Sequence, residues 1–180
     1  MASNRFFTGL LLTLAIIATF FAGLFAQDLS REEIVKLVYP GTSVKSEYVF
    51  LTKDQQLQAA EQSGVDVPSA LIARYLASKN DEIVGTAYID THIVRTKKET
   101  LLIALNTAGE VLHIKVTAFL EPREYLAPDA WLRQYEGRVL NADLAIHRAI
   151  RPIAGGTLTA HATNEAVRRV LAIDEILKEN

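Results

Sequence analysis

Alternating and β-branched apolar segments in the middle of the chain predict β-strands. Four such segments cover residues 71–77, 83–89, 100–106 and 111–120, and short polar or glycine-containing sequences separate them. Connections of this length favour hairpins between neighbouring strands, so we expect an antiparallel meander. In the last segment Ile114, Val116 and Ala118 alternate with polar neighbours. This alternation predicts one packed and one solvated face along the whole strand.

Helical spacing of apolar residues predicts helices on either side of these strands. Ser30 followed by Glu33 is typical of a helix start, and so is Pro128 shortly before Trp131. The predicted helices cover residues 27–38, 53–63, 129–135 and 160–178, and a further β-rich run covers residues 48–52. The helix over residues 53–63 is polar and glutamine-rich, which predicts a position at the surface.

The last predicted helix has the clearest pattern, an apolar stripe with charged residues opposite. The stripe consists of Ala166, Val167, Val170, Leu171, Ile173 and Leu177, and the charged side of Arg168, Arg169, Asp174 and Glu175. A helix of this kind packs its stripe on a sheet. The chain is therefore expected to be an α+β protein, an antiparallel β-sheet meander packed by helices, with an amphipathic C-terminal helix.

The first part of the chain is apolar enough for a membrane, because residues 6–26 carry no charge and Arg5 precedes them. This pattern, with small residues before Ala26, predicts a signal peptide over residues 1–26. The same stretch is also long enough for an uncleaved N-terminal anchor helix. Either alternative predicts that residues 27–180 form a single exported domain, in the periplasm or on the extracytoplasmic face of the membrane.

The composition excludes several classes of site. The chain has 180 residues and no cysteine, so disulfides, iron–sulfur clusters and Cys-ligated zinc are excluded. Its formal net charge is -2 and it has no basic run, which argues against a nucleic-acid partner. Its four histidines lack the spacing of metal ligands, so we expect no metal site.

A loop of small residues leads directly into the last helix. Two consecutive glycines, Gly155 and Gly156, let the backbone approach a ligand, and the first turn of a helix offers unpaired N–H groups to an anion such as phosphate. The hydroxyls of Thr157 and Thr159 either cap the helix or contact that anion. With Leu158 between them, these five residues form the candidate binding site, although loops without a ligand enter helices in the same way.

The motif A-G-G-T-L-T-A, followed by E-A-V-R-R-V-L, resembles the exported FMN-binding domain family. The segment E-P-R-E-Y-L-A-P-D-A-W-L-R-Q-Y-E-G-R is similar to small stand-alone members, and the resemblance covers most of residues 69–177. The family includes the flavin-carrying subunits of Rnf- and Nqr-type electron-transfer complexes. The resemblance implies that FMN is the cofactor and that a flavin transferase attaches it through a phosphoester to Thr157.

The resemblance further implies an electron-transfer flavoprotein more than a stand-alone enzyme, passing electrons between a membrane-bound redox partner and another acceptor. The family motif reads approximately D-x-x-[S/T]-G-A-[T/S], and only Gly155 and Thr157 match it outright. Its other positions fall on Arg151, Ala154 and Gly156. Two alternatives stay open: a flavin-free scaffold or interaction domain of the same fold with a degenerate motif, and a free-standing periplasmic flavoenzyme, a reductase that acts on a small acceptor.

Several residues outside the loop have two interpretations each. Trp131, Tyr125 and Tyr135 either flank a flat flavin ring or pack in the core. Arg151 offers a cation to a flavin phosphate, or its substitution for the acidic motif residue impairs attachment. Glu121 lies, with Glu124, in a region that the family places near the flavin edge, whereas charge alone predicts solvated loop residues.

Overall fold

The computed structural model describes residues 29–179. The chain divides into two compact units, residues 1–30 and 31–180, and the predicted signal or anchor segment lies outside the described residues. Within residues 29–179 no helix combines the length and the apolar character needed to cross a bilayer.

The second unit contains one sheet, several helices and two short 3₁₀ turns. In chain order its elements are α1 (Arg31–Val38), β1 (Ser43–Phe50), α2 (Lys53–Ser63), β2 (Leu71–Lys79), β3 (Glu82–Ile93), β4 (Lys98–Asn106), β5 (Val111–Phe119), a 3₁₀ turn (Arg123–Tyr125), α3 (Asp129–Leu132), a second 3₁₀ turn (Arg133–Tyr135) and α4 (Thr157–Glu179). The predicted α+β class and the C-terminal helix are confirmed. The helix predicted over residues 129–135 is instead a single α-turn that continues as a 3₁₀ turn.

The sheet has five strands in the order β1-β2-β3-β4-β5, and every neighbouring pair is antiparallel. The predicted meander is therefore confirmed. Strand β1 begins at Ser43, which is opposite Ser78 on β2, and not at the start of the β-rich run over residues 48–52. Polar residues at its start are tolerated because β1 is an edge strand with side chains exposed on both faces.

Strand β4 is covered on both faces, which explains its continuous apolar sequence. Leu101, Ile103 and Leu105 belong to the core between the sheet and α4. Leu102 and Ala104 point the other way, into a smaller core beneath α1. The sheet thus lies between α4 with α2 on one face and α1 on the other, and all five of these side chains are 0% exposed.

The charged side predicted for α4 is only partly solvated. Asp174 is 1% exposed, and its Oδ1 accepts a hydrogen bond from the Tyr88 hydroxyl at 2.9 Å. Arg168 donates to the carbonyl of Ser63, the last residue of α2, at 2.7 Å. The sheet covers one side of α4 and α2 covers an adjacent side, so residues outside the predicted apolar stripe are also buried.

The alternation predicted along β5 holds only in its first half. Ile114 is buried and Val116 packs against the main core, but Ala118 is exposed. On β4, Leu101 is opposite Val116, whereas the preceding residue is opposite Ala118, so Thr117 is one extra residue in β5. A β-bulge of this kind turns the residues after it to the other face, which sequence alternation alone does not reveal.

Tyr39 links the end of α1 to the sheet, through a site that only glycine fits. The Tyr39 hydroxyl donates to the carbonyl of Leu105 at 2.6 Å and of Thr86 at 3.1 Å. Its ring lies directly over Gly85, where an added Cβ would overlap the ring and lie 2.7 Å from the Leu105 carbonyl oxygen. The smaller core depends on this contact because α1 provides the cover of that face.

Replacing Gly85→Ala should lower the free energy of unfolding by about 1–3 kcal/mol, because the new methyl forces Tyr39 out of its place. Urea unfolding followed by circular dichroism measures the change. A double variant with Tyr39→Leu provides the control, since removal of the ring should make the two costs less than additive. Strictly additive costs would contradict the proposed contact.

Candidate functional site

A surface pocket of about 220 Å³ lies at the N-terminus of α4. All five residues predicted as the binding site line it, together with residues of the β3–β4 turn and of the segment after β5. The lining residues are Val94, Arg95, Glu121, Tyr125, Gly155, Gly156, Thr157, Leu158 and Thr159. The fold therefore brings a loop identified from sequence to one side of a concave site, beside Glu121 and Tyr125, and adds Val94 and Arg95 of the β3–β4 turn, which the sequence did not indicate.

Two glycines shape the loop, each for a different reason. Gly155 has a φ of +75°, a left-handed conformation that glycine adopts without strain. Gly156 packs on Ile153, and an added Cβ would lie 2.8 Å from the Ile153 Cγ2. Alanine, which the family motif has at this position, would therefore require a smaller residue or a shift at position 153.

The two predicted hydroxyls differ in their availability. Thr159 is 1% exposed and its hydroxyl donates to the Tyr125 carbonyl at 2.7 Å, so it holds the 3₁₀ turn against the helix. Thr157 is the first residue of α4, it is exposed, and its hydroxyl has no hydrogen-bond partner in the described part of the chain. Of the two, Thr157 alone is free to contact or bond a ligand.

The opposite wall is the turn between β3 and β4, which Glu121 holds in place. Its Oε1 accepts hydrogen bonds from the backbone N–H groups of Thr96 and Lys97, both at 2.7 Å. These two bonds hold the pKa of the Glu121 carboxyl below its ordinary value. The carboxylate thus stabilises the turn that places Arg95 in the pocket wall. Arg95 is exposed and forms no ion pair within residues 29–179.

The aromatic residues fall into two groups. Trp131 and Tyr135 pack edge to face with ring centroids 5.6 Å apart, and they are 9% and 0% exposed. They belong to the main core and not to the pocket, so they do not flank a ligand there. Tyr125 does line the pocket. Glu124 is exposed but lies outside the pocket lining.

Arg151 lies apart from the pocket. It lines a different surface hollow with Trp131 and Gln134, and its backbone carbonyl accepts a hydrogen bond from Trp131 Nε1 at 2.6 Å. Its backbone therefore helps to anchor the loop, while Arg151 is not among the residues that line the pocket at Thr157. Arg95 is the cation that the fold places there instead.

A second polar cluster lies under α4 and was missed at the sequence level. His92 Nδ1 is 2.8 Å from Asp90 Oδ1, and His92 Nε2 is 3.0 Å from Glu99 Oε2. Arg169 donates to both oxygens of Asp90, at 2.8 and 3.0 Å. The signal was present, because Asp90 and His92 are two residues apart in a strand and so share a face, and His92 is opposite Glu99 in the register.

The cluster is a balanced group of charges. Burial by itself lowers the pKa of His92, but its hydrogen bonds to Asp90 and Glu99 outweigh burial and raise the pKa to about 9. Burial raises the pKa of Asp90, and its bonds to His92 and Arg169 lower it below the ordinary value. Since both ring nitrogens face carboxylates, the histidine is held in its protonated form and both nitrogens already have partners. Residues 29–179 contain no group of three metal-binding side chains placed to hold an ion.

No family model, no curated protein and no solved structure matches the chain. The resemblance to FMN-binding domains therefore stays a prediction from the residues quoted for it.

The His92 cluster should make the protein less stable as the pH rises. Below about pH 6.5 the histidine is protonated in both states, and its stabilising contribution is complete. Above that pH the unfolded chain loses the proton first, so the free energy of unfolding should fall by about 1–3 kcal/mol as the pH approaches 9.5. Urea unfolding at several pH values measures this slope.

The variant His92→Gln should flatten that slope, because the titrating cation is gone. His161→Gln is the matched control, since His161 is an exposed histidine on α4 and its removal should leave the slope unchanged. A wild-type protein whose stability does not change between pH 6.5 and 9.5 would show that the cluster does not hold a charged histidine.

Proposed function

We propose that this protein is an exported flavin carrier, in which FMN is bound at the α4 pocket and attached through a phosphoester to Thr157. In this role it passes electrons between a membrane-bound redox partner and another acceptor. The observation that carries the proposal is the free hydroxyl of Thr157, placed in a pocket beside Arg95 and at the start of a 23-residue helix.

The electrostatics of the pocket suit a phosphodiester, which carries one negative charge. The first-turn N–H groups of α4 and its helix dipole favour an anion, and Arg95 adds a full positive charge from the opposite wall. Glu121 contributes a negative charge to the same wall, which the N–H groups of Thr96 and Lys97 partly offset. The groups present thus fit the phosphate end of FMN.

The size of the pocket indicates how much of the cofactor it encloses. At about 220 Å³ it is smaller than the roughly 300–1,000 Å³ of sites that enclose a whole drug-sized ligand. It accommodates the phosphate end and leaves the rest of the cofactor at the surface. Tyr125 and Leu158 line the pocket and offer apolar contacts to the cofactor. When bound, the flavin supplies the redox chemistry, accepting and releasing electrons one or two at a time.

Attachment requires a flavin transferase and a flavin dinucleotide as donor. The Thr157 oxygen bonds to the phosphorus nearest the flavin, the bridging P–O bond of the pyrophosphate breaks, and the nucleoside monophosphate leaves. The hydroxyl proton passes to a base of the transferase. Thr157 suits this step because its oxygen is exposed at the end of a helix, where another protein reaches it, whereas Thr159 is buried under Tyr125.

Mass spectrometry tests the attachment on the chain exported together with a flavin transferase. We expect an added mass equal to FMN less one water, with in-gel fluorescence that survives denaturation. Thr157→Ala should remove both signals and Thr157→Ser should keep them, since serine retains the hydroxyl. Thr159→Val is the matched control and should keep the flavin, because its hydroxyl serves a structural bond.

Each other outcome of this experiment supports a different function or attachment site. An unmodified and colourless sample would overturn the proposal in favour of a flavin-free scaffold of this fold. A yellow sample of unmodified mass would overturn the phosphoester and leave FMN held by non-covalent contacts. Label lost in Thr159→Val and kept in Thr157→Ala, in folded protein, would move the attachment to Thr159.

A further inference from the structure

Exposed cations gather at the end of the sheet where the pocket opens. We call this the pocket end; it comprises residues 93–98, residues 120–125 and the first turn of α4. Its exposed charged side chains are Arg95, Lys97, Lys98, Arg123 and Glu124. None of the four cations forms an ion pair in the described part of the chain, and Glu121 is 8% exposed and engaged by the turn. The four cations outnumber the two acids, Glu121 and Glu124, so the pocket end is positive.

The opposite end of the same unit is acidic. It comprises the β2–β3 turn and the last turn of α4, where the exposed acids are Asp81, Glu82, Glu175 and Glu179. The exposed cations there are Lys79 and Lys178, and Lys178 is 2.6 Å from the Asp174 carboxylate. Strand β3 has 12 residues and at about 3.3 Å per residue separates the two ends by roughly 40 Å.

Apolar side chains stand between the cations at the pocket end. Leu158 lines the pocket and is 54% exposed, while Ile93 and Leu120, each next to a lining residue, are 53% and 59% exposed. Exposed aliphatic side chains surrounded by charges are typical of transient protein contacts, in which a small apolar centre is enclosed by a polar rim.

We propose that the pocket end is the docking surface for an acidic redox protein that exchanges electrons with the bound flavin. This inference rests on the proposed function, because it names the partner of the same site. An anionic membrane surface has similar charge but fits less well, since lipid over the pocket end would separate the flavin from a protein acceptor. The apolar centre and the cationic rim instead match a protein surface with carboxylates around its redox group.

The pocket end and the acidic end are far enough apart that the charges of the pocket end dominate the attraction of a partner that docks there. Charges at the surface are screened over about 10 Å at 0.1 M salt, so a partner at the pocket end responds to the four cations and little to the acids roughly 40 Å away. Complementary charges of this kind raise the rate of association more than the final affinity. An acidic partner should therefore react more slowly as salt is added.

Stopped-flow oxidation of the reduced, flavin-loaded protein tests the inference with two probes, the acidic haem protein cytochrome b5 and the basic haem protein cytochrome c. Each reduced flavin releases two electrons and two protons, and each haem accepts one electron. We expect the rate with cytochrome b5 to fall at least threefold as salt rises from about 0.05 to 0.3 M, as screening removes the attraction, and the rate with cytochrome c to rise.

Charge reversal in Lys97→Glu/Lys98→Glu should lower the low-salt rate with cytochrome b5 by about tenfold. The matched control Lys36→Glu/Lys79→Glu changes the net charge equally, but at exposed lysines outside the pocket end, and should leave the rate nearly unchanged. Equal effects of the two double variants, or rates independent of salt, would overturn the inference.

The two proposals fail in distinguishable ways. A protein without flavin by mass and absorbance fails the proposed function before any kinetic measurement. A flavin-loaded protein with salt-independent kinetics fails the docking inference alone. Sedimentation with phosphatidylglycerol vesicles that is lost in Lys97→Glu/Lys98→Glu, together with salt-independent cytochrome kinetics, would overturn it in favour of a membrane surface.

Discussion

The lengthwise position of α4 on strand β3 is the constraint on which the site depends. Two links fix it: Tyr88 donates to Asp174 in the core, and the partly buried Asp90 accepts from Arg169 with both oxygens. A buried charge without its partner costs several kcal/mol, so sliding the helix by even one turn is strongly disfavoured. With the helix held in this way, its first turn lies beside the β3–β4 turn, and the pocket forms between them.

The groups that build the pocket are separate from those left for a ligand. Glu121 accepts hydrogen bonds from the β3–β4 turn, and Thr159 donates one to the 3₁₀ turn. Gly156 packs closely on Ile153. In the described part of the chain, the side chains of Thr157 and Arg95 carry no such structural bond. These structural contacts fix the walls of the pocket, so the side chains that remain available to a ligand are held in place without taking part in the structural bonds. Preorganised binding requires this arrangement.

Much of the fold was predictable because local patterns decide it. The strands after residue 70, the α2 helix over residues 53–63 and the meander order all follow from apolar β-rich segments, a polar glutamine-rich stretch and short turns. The errors have tertiary causes. Ala118 is exposed because a bulge at Thr117 shifts the register, and Asp174 is buried because it faces strand β3, where the Tyr88 hydroxyl donates to it.

The sequence by itself determined one wall of the candidate site, since two glycines followed by the first residue of a helix are a local pattern. Only the tertiary structure decided which hydroxyl is free, because the burial of Thr159 depends on Tyr125, 34 residues away. It likewise decided that Arg95, and not Arg151, faces the pocket, and that His92 carries a charge between two carboxylates. These features join residues distant in sequence, so they depend on register and packing that local pattern does not encode.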